Sequence, residues 1–154
     1  MIDLRELYQD IILDHGRHPR NFREIEHPTH SAQGYNPLCG DRVTVYLTLE
    51  GDRIADVSFK GRGCAISTAA ASLMTEVLKG KTTAEARALF AQFHARATGG
   101  EPVPDLPEPL AEEMDRLEPL TGVKAYPARV KCATLSWHAL EAALKGSGET
   151  VKTE

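Results

Sequence analysis

RVTVYLTLEGDRIADVSFKGRGCAI, residues 42–66, carries two strands, a turn and the start of a helix. Val43, Val45, Leu47 and Leu49 alternate with Thr44, Tyr46 and Thr48, which is the period of a half-buried strand. Gly51-Asp52 reads as a hairpin turn, and Ala55, Val57 and Phe59 alternate on a second strand expected to pair antiparallel with the first. Gly61 and Gly63 then break the pattern. From Ile66 through Ala70, Leu73, Met74, Val77 and Leu78 the apolar spacing becomes helical, so a helix starts at or beside Cys64 and stops near Gly80.

Outward from this hairpin the chain reads as helices. Leu4, Leu7, Tyr8, Ile11 and Ile12 predict an amphipathic helix behind a capping pair, Asp3 and Glu6, ending between His15 and Arg20. Thr82 or Thr83 caps a helix carrying Leu89, Phe90 and Phe93. Gly99-Gly100 and Pro102, Pro104, Pro107 and Pro109 then predict a surface excursion, with a short helix through Leu110, Met114 and Leu117. A final helix is expected from about Cys132 to Lys145, burying Leu135, Leu140, Ala143 and Leu144. These elements predict an α+β fold, a small antiparallel sheet with helices on one face. Residues 1–146 form one domain with an insertion around 98–120, and residues 147–154 are a polar tail.

The chain has 154 residues, 42% apolar and 26% charged, which is the usage of a single globular domain with its own core. A net charge of −4 and the lack of a basic stripe argue against nucleic acid as a partner. No apolar stretch approaches the roughly 20 residues that span a bilayer, and the start is not that of a signal peptide, so a cytoplasmic location is expected. Three cysteines is an odd count for a disulfide framework, and cytosolic thiols stay reduced, so the sulfurs are read as thiolates.

Those cysteines fall at element ends: Cys39 in the loop Pro37-Leu38-Cys39-Gly40-Asp41, Cys64 and Cys132 at expected helix starts. A helix N-terminus lowers a thiol pKa through its free N–H groups and partial positive charge. Asp41 stands two residues past Cys39 with glycine between, so one loop can aim both at a cation. Three thiolates and one carboxylate make a tetrahedral set suited to zinc, and thiolates also hold iron–sulfur clusters. Asp41, the single oxygen donor, is the candidate labile ligand. Arg42, Arg62, Arg129 and Lys131 flank these donors and offset a formal charge of about −2 on a loaded site. A lone cysteine is most often a small buried hydrophobe, and a Gly-Asp pair is a common turn, so the weight rests on the combination. His15, His18 and His138 are read as helix-flanking or packing residues rather than ligands.

Tyr35-Asn36-Pro37-Leu38-Cys39-Gly40-Asp41, Gly61-Arg62-Gly63-Cys64-Ala65-Ile66-Ser67 and Arg129-Val130-Lys131-Cys132-Ala133 resemble the three cysteine motifs of the IscU/SufU family of iron–sulfur cluster assembly proteins. The resemblance extends to Tyr8-Gln9-Asp10 and His18-Pro19-Arg20-Asn21-Phe22, nearly the whole chain. It implies a NifU-like α+β sandwich. The IscU branch has a histidine just before the third cysteine, where this chain has Lys131, and a Leu-Pro-Pro-Val-Lys chaperone motif, where this chain reads Ala125 to Lys131. The insertion between Cys64 and Cys132 resembles that of the SufU branch, and the chain is placed there.

By that resemblance the protein binds zinc through Cys39, Asp41, Cys64 and Cys132 and docks on a pyridoxal-phosphate cysteine desulfurase of the SufS/IscS kind. Cys39 is then the persulfide sulfur acceptor and Arg129 a supporting residue. The alternative is a scaffold on which Cys39, Cys64 and Cys132 hold a [2Fe-2S] or [4Fe-4S] cluster that passes to apo iron–sulfur proteins. A purely structural zinc site more often uses closely spaced cysteine pairs, and a cysteine hydrolase needs a base beside its thiol that no histidine here supplies.

Overall fold

The computed structural model describes residues 4–37, 40–101, 103–146 and 150–152. In chain order it comprises α1 (Leu4–Arg17), β1 (His30–Asn36), β2 (Asp41–Glu50), β3 (Arg53–Arg62), α2 (Ala65–Leu78), α3 (Thr83–Thr98), α4 (Leu110–Asp115), α5 (Glu118–Thr121), a 3-10 turn (Gly122–Ala125), α6 (Pro127–Leu144) and β4 (Thr150–Lys152). The sheet order is β3-β2-β1-β4, antiparallel except for β4, which runs parallel to β1 at the edge, so Thr150–Lys152, expected in a polar tail, join the sheet. Helix α6 lies across β1 and β2, and α2 lies against β3 and α6, all on one side of the sheet.

Alternation on β2 is as expected: Val43, Val45 and Leu47 are buried and Arg42 is exposed. On β3 the phase differs from the sequence reading. Thr48 pairs with Asp56 but Leu49 pairs with Ile54, so Ala55 is the extra residue of a bulge. One inserted residue switches the face of everything beyond it, and Ile54 rather than Ala55 joins Val57 and Phe59 in the core.

Strand β1 carries no apolar alternation. Its inward positions are Ala32, Gly34 and Asn36, small or polar because α6 packs close. A Cβ on Gly34 would lie 3.0 Å from Leu135 Cδ1 and 3.2 Å from Val43 Cγ1. Trp137, fully buried on α6, stacks between Phe90 and Phe93 of α3, with ring centroids 5.8 and 5.6 Å away. Burying side chains of this size stabilises by about 1.5–3 kcal/mol each and pins α3 onto α6.

The proline-rich excursion is half right. Leu110, Met114, Leu117, Leu120 and Val123 are all buried in the main core, so the second part of the insertion is a packed layer rather than a surface loop. The last helix also differs, starting at Pro127 instead of near Cys132. Proline suits a first helical position, where its missing N–H is not needed. Residue 132 is therefore in the second turn and not at the helix end.

Candidate metal centre

Asp41 opens β2 directly opposite Asn36, across a turn closed by the Gly40 N–H donating to the Asn36 carbonyl at 2.8 Å. Its side chain is only 3% exposed. Cys64 is the N-cap of α2, in extended backbone, and its sulfur accepts the Ser67 N–H at 3.4 Å. The Cys64 N–H donates to Asp41 Oδ1 at 3.1 Å, and Asp41 Oδ2 stands 3.8 Å from Cys64 Sγ. Cys132, buried on α6, sets its sulfur 3.7 Å from the Ala128 carbonyl one turn back. One donor atom from each of Asp41, Cys64 and Cys132 lies within 4.8 Å of the others. Cys39 lies outside the described residues.

Glycine makes this approach possible. A Cβ on Gly63 would fall 2.5 Å from Ser67 Oγ and 2.8 Å from Asp41 Oδ1. Gly61 has φ of 147°, and a Cβ there would collide with the Arg42 carbonyl oxygen. These two positions bring the end of β3 against the start of β2, which aligns Cys64 with Asp41.

The two sulfurs share a proton unequally. The Cys64 thiol is lowered to about 6, first by the hydrogen bond from Cys132, then by the Ser67 and Ile66 N–H groups, against burial and the Asp41 charge. Donating that bond to the Cys64 thiolate, together with burial, pushes the Cys132 thiol well up. Cys132 therefore lacks the helix-end advantage expected of it, because α6 begins a turn earlier. The Arg129 guanidinium reaches both: its pKa is raised by a hydrogen bond with Cys132 and by the charges of Cys64 and Cys132. Arg42 and Arg62 sit at the adjoining strand ends, exposed, and Lys131 is half-buried beside Cys132.

Among the described residues, no lysine, arginine or histidine forms an ion pair with the buried Asp41 carboxylate. A buried charge without an opposite charge is costly, so the cluster of Asp41 and the two sulfurs calls for a cation. The donors fit zinc: soft sulfurs plus one carboxylate, with Zn–S near 2.3 Å placing tetrahedral donors roughly 3.8 Å apart, about 1 Å closer than the upper separation here. The histidines play no part. His15 Nδ1 meets Ser72 Oγ at 2.8 Å, and His138 packs edge-on to Phe90. A cleft of about 520 Å³ between the α3 end and residues 103–124 lies away from these donors and contains no thiol. Sequence reasoning missed the steric role of Gly63 and the early start of α6, for which Pro127 was the available signal.

The family model for the NifU-like N terminal domain matches residues 7–147. The chain belongs to that family. This NifU-like domain is 37% identical over 144 residues to the iron–sulfur cluster assembly scaffold protein IscU of Streptococcus pyogenes serotype M1, covering 94% of this chain and 86% of that one. It is 39% identical over 139 residues to the zinc-dependent sulfurtransferase SufU of Bacillus subtilis, covering 90% of each. Among solved structures it resembles FiSufU of Fervidobacterium islandicum AW-1, assigned to iron–sulfur cluster assembly for the SUF system. The TM-score is 0.80 at 34% identity, covering 92% of this chain and 99% of that one. The expected α+β family fold is thus the observed one. No helix of the described residues is long and apolar enough to cross a membrane.

Proposed function

We propose that this NifU-like protein works in iron–sulfur cluster assembly, holding zinc on Cys39, Asp41, Cys64 and Cys132 and accepting persulfide sulfur from a pyridoxal-phosphate cysteine desulfurase. The observation that carries the reading is the buried Asp41 carboxylate, with two thiol sulfurs beside it and no cationic side chain ion-paired with it among the described residues. Cys39 is the fourth donor by its position two residues before Asp41. Zinc, when bound, keeps the thiols deprotonated at neutral pH.

The remaining roles belong to the chain. Cys64 and Cys132 are fixed by α2 and α6, Arg129 holds charge against their sulfurs, and Asp41 is the exchangeable oxygen donor. The Cys39 thiolate attacks the outer sulfur of the donor persulfide. A new S–S bond forms on Cys39, the donor S–S bond breaks, and the desulfurase cysteine leaves as a thiolate. The recipients are apo iron–sulfur proteins in the cytoplasm. The relative named as a zinc-dependent sulfurtransferase supports a zinc-holding protein that transfers sulfur.

The scaffold reading uses the same sulfurs with a [2Fe-2S] or [4Fe-4S] cluster as cargo, and the IscU relative favours it. One experiment separates them: desulfurase turnover with and without the zinc-loaded protein, under anaerobic conditions, with persulfide followed by mass spectrometry. Stimulation with label on Cys39, abolished by Cys39→Ser, supports the acceptor. No stimulation and no label, with iron and sulfide assembling a transferable cluster, supports the scaffold.

A further inference from the structure

Arg42, the second residue of β2, and Arg62, the last of β3, stand directly opposite each other in register, and both are exposed. Like charges facing across a strand pair are destabilising. On the rest of the surface most cations are neutralised: Arg20 by Asp14, Arg23 and Lys79 by Asp56, Arg96 by Glu118, Arg116 by Glu76. Arg42, Lys60 and Arg62, and elsewhere Arg17, Arg53, Lys124 and Lys131, have no carboxylate partner among the described residues, although the chain as a whole carries a charge of −4. Three of these, Arg42, Lys60 and Arg62, lie together at one end of the β2–β3 pair.

That part borders the sulfurs. Arg42 follows Asp41, and Arg62 precedes Cys64 by two residues. Both line a small recess with Ser67 and Thr68 in the first turn of α2. The heads of Arg42 and Lys60 are held against rings rather than free in solvent. The Arg42 guanidinium lies 4.3 Å over the Tyr35 ring, and Lys60 Nζ lies 4.4 Å over the Phe22 ring. Arginine forks positioned this way match carboxylates geometrically as well as by charge.

We propose that the open sheet face at this end docks a carboxylate-rich patch on the sulfur donor, with the opposed Arg42 and Arg62 as its anchors. The inference rests on the desulfurase reading above and adds the chemistry of the contact. A cationic rim on a net acidic chain also selects orientation: an acidic partner is repelled by most of the surface and attracted beside the thiols, where sulfur must arrive.

The test is calorimetric binding of the full-length, zinc-loaded protein to a purified cysteine desulfurase at low and high salt. Wild type should bind and weaken with salt. Arg42→Glu/Arg62→Glu should bind roughly tenfold or more weakly at low salt and lose most of that salt dependence. Arg42→Lys/Arg62→Lys should stay within about threefold, and Arg87→Glu, on the far helix α3, should match wild type. Zinc content and circular dichroism are recorded for each. If the double reversal loses zinc, Lys60→Glu, remote from the donors in sequence, becomes the readout, with an expected weakening of about threefold. Reversed variants that bind like wild type overturn the docking proposal while leaving the desulfurase reading intact. A wild type that does not bind the desulfurase overturns both. Wild-type binding that is lost equally in the lysine pair shows that packing, not carboxylate recognition, makes the contact, and also overturns the proposal.

Discussion

Asp41 and Cys64 are joined through both carboxylate oxygens: Oδ1 accepts the Cys64 N–H at 3.1 Å while Oδ2 stands 3.8 Å from the sulfur. One side chain thus caps the entry to α2 and offers a ligand atom. The two tasks separate by substitution. Asp41→Asn keeps an oxygen for the N–H but removes the charge, whereas Asp41→Ala removes both. Thermal unfolding of the metal-free proteins should show Ala destabilised by about 1–3 kcal/mol and Asn by less, with zinc affinity reduced in both. Equal zinc affinity in Asp41→Ala and wild type removes Asp41 from the donor set.

The shared proton between Cys64 and Cys132 predicts their reactivity. In the metal-free protein, alkylation mapped by peptide mass spectrometry should label Cys64 before Cys132, with Cys64 half-reactive near pH 6. Cys132→Ala removes the donor that contributes most to this depression, so the Cys64 midpoint should rise. A midpoint unmoved by that substitution shows that the α2 N–H groups alone lower it.

Gly63 is required by contact, not by backbone angle. A methyl group there meets Ser67 Oγ and the Asp41 carboxylate, and Asp41 must move to admit it. Gly63→Ala should retain the far-ultraviolet dichroism of wild type and bind zinc at least tenfold more weakly, a loss of about 1.4 kcal/mol or more in the site. Wild-type zinc affinity in Gly63→Ala contradicts the approach of β3 to β2 described above.

The hairpin and α2 were legible because Val43, Val45 and Leu47 alternate without interruption and because Cys64 sits where helical spacing begins. The three motifs carried the family. What stayed hidden had local causes. Strand β1 faces α6 with Ala32, Gly34 and Asn36, so its burial leaves no apolar signature. The bulge at Ala55 shifts the face of β3 by one residue, which alternation alone cannot place. Cys132 read as a helix start, when Pro127 is the first residue of that helix. Convergence of Asp41, Cys64 and Cys132 depends on how the end of β3 meets the start of β2, a tertiary relation that no spacing encodes.

His15 gives the fold a pH response independent of the thiols. It is buried in α1, with Nδ1 at 2.8 Å from Ser72 Oγ and Nε2 at 3.6 Å from Glu76. The Arg20 N–H donates to the same hydroxyl, whose own O–H is free to donate to Nδ1 of a neutral His15 ring. Burial lowers its pKa, with nearby Arg20 adding to the effect and Glu76 opposing it. The unfolded chain therefore takes the proton first. Stability from this site is complete above the unfolded value of about 6.5 and falls as pH drops below it. Chemical denaturation of the metal-free protein between pH 8 and 5 should show that decline (about the range in which histidine titrates), and His15→Gln should flatten it.

The buried second half of the insertion separates two deletions that look alike in sequence. Leu117 and Leu120 are fully buried, while residues 100, 101, 104 and 105 are exposed. Leu117→Ala leaves a cavity in the core beside the α4–α5 layer and should cost about 2–5 kcal/mol. Removing residues 100–107 shortens a connection in which, among the described residues, Leu106 packs against the core and is only partly buried. That deletion should cost less than Leu117→Ala in denaturant midpoint and leave Cys64 alkylation unchanged. If desulfurase affinity also survives it, the proline-rich stretch is a tolerated connection and the packed α4–α5 layer is what the insertion adds to the fold. If affinity is lost while the midpoint holds, the stretch touches the partner directly. A deletion that lowers the denaturant midpoint as much as Leu117→Ala contradicts the division of the insertion into an outer connection and an inner layer.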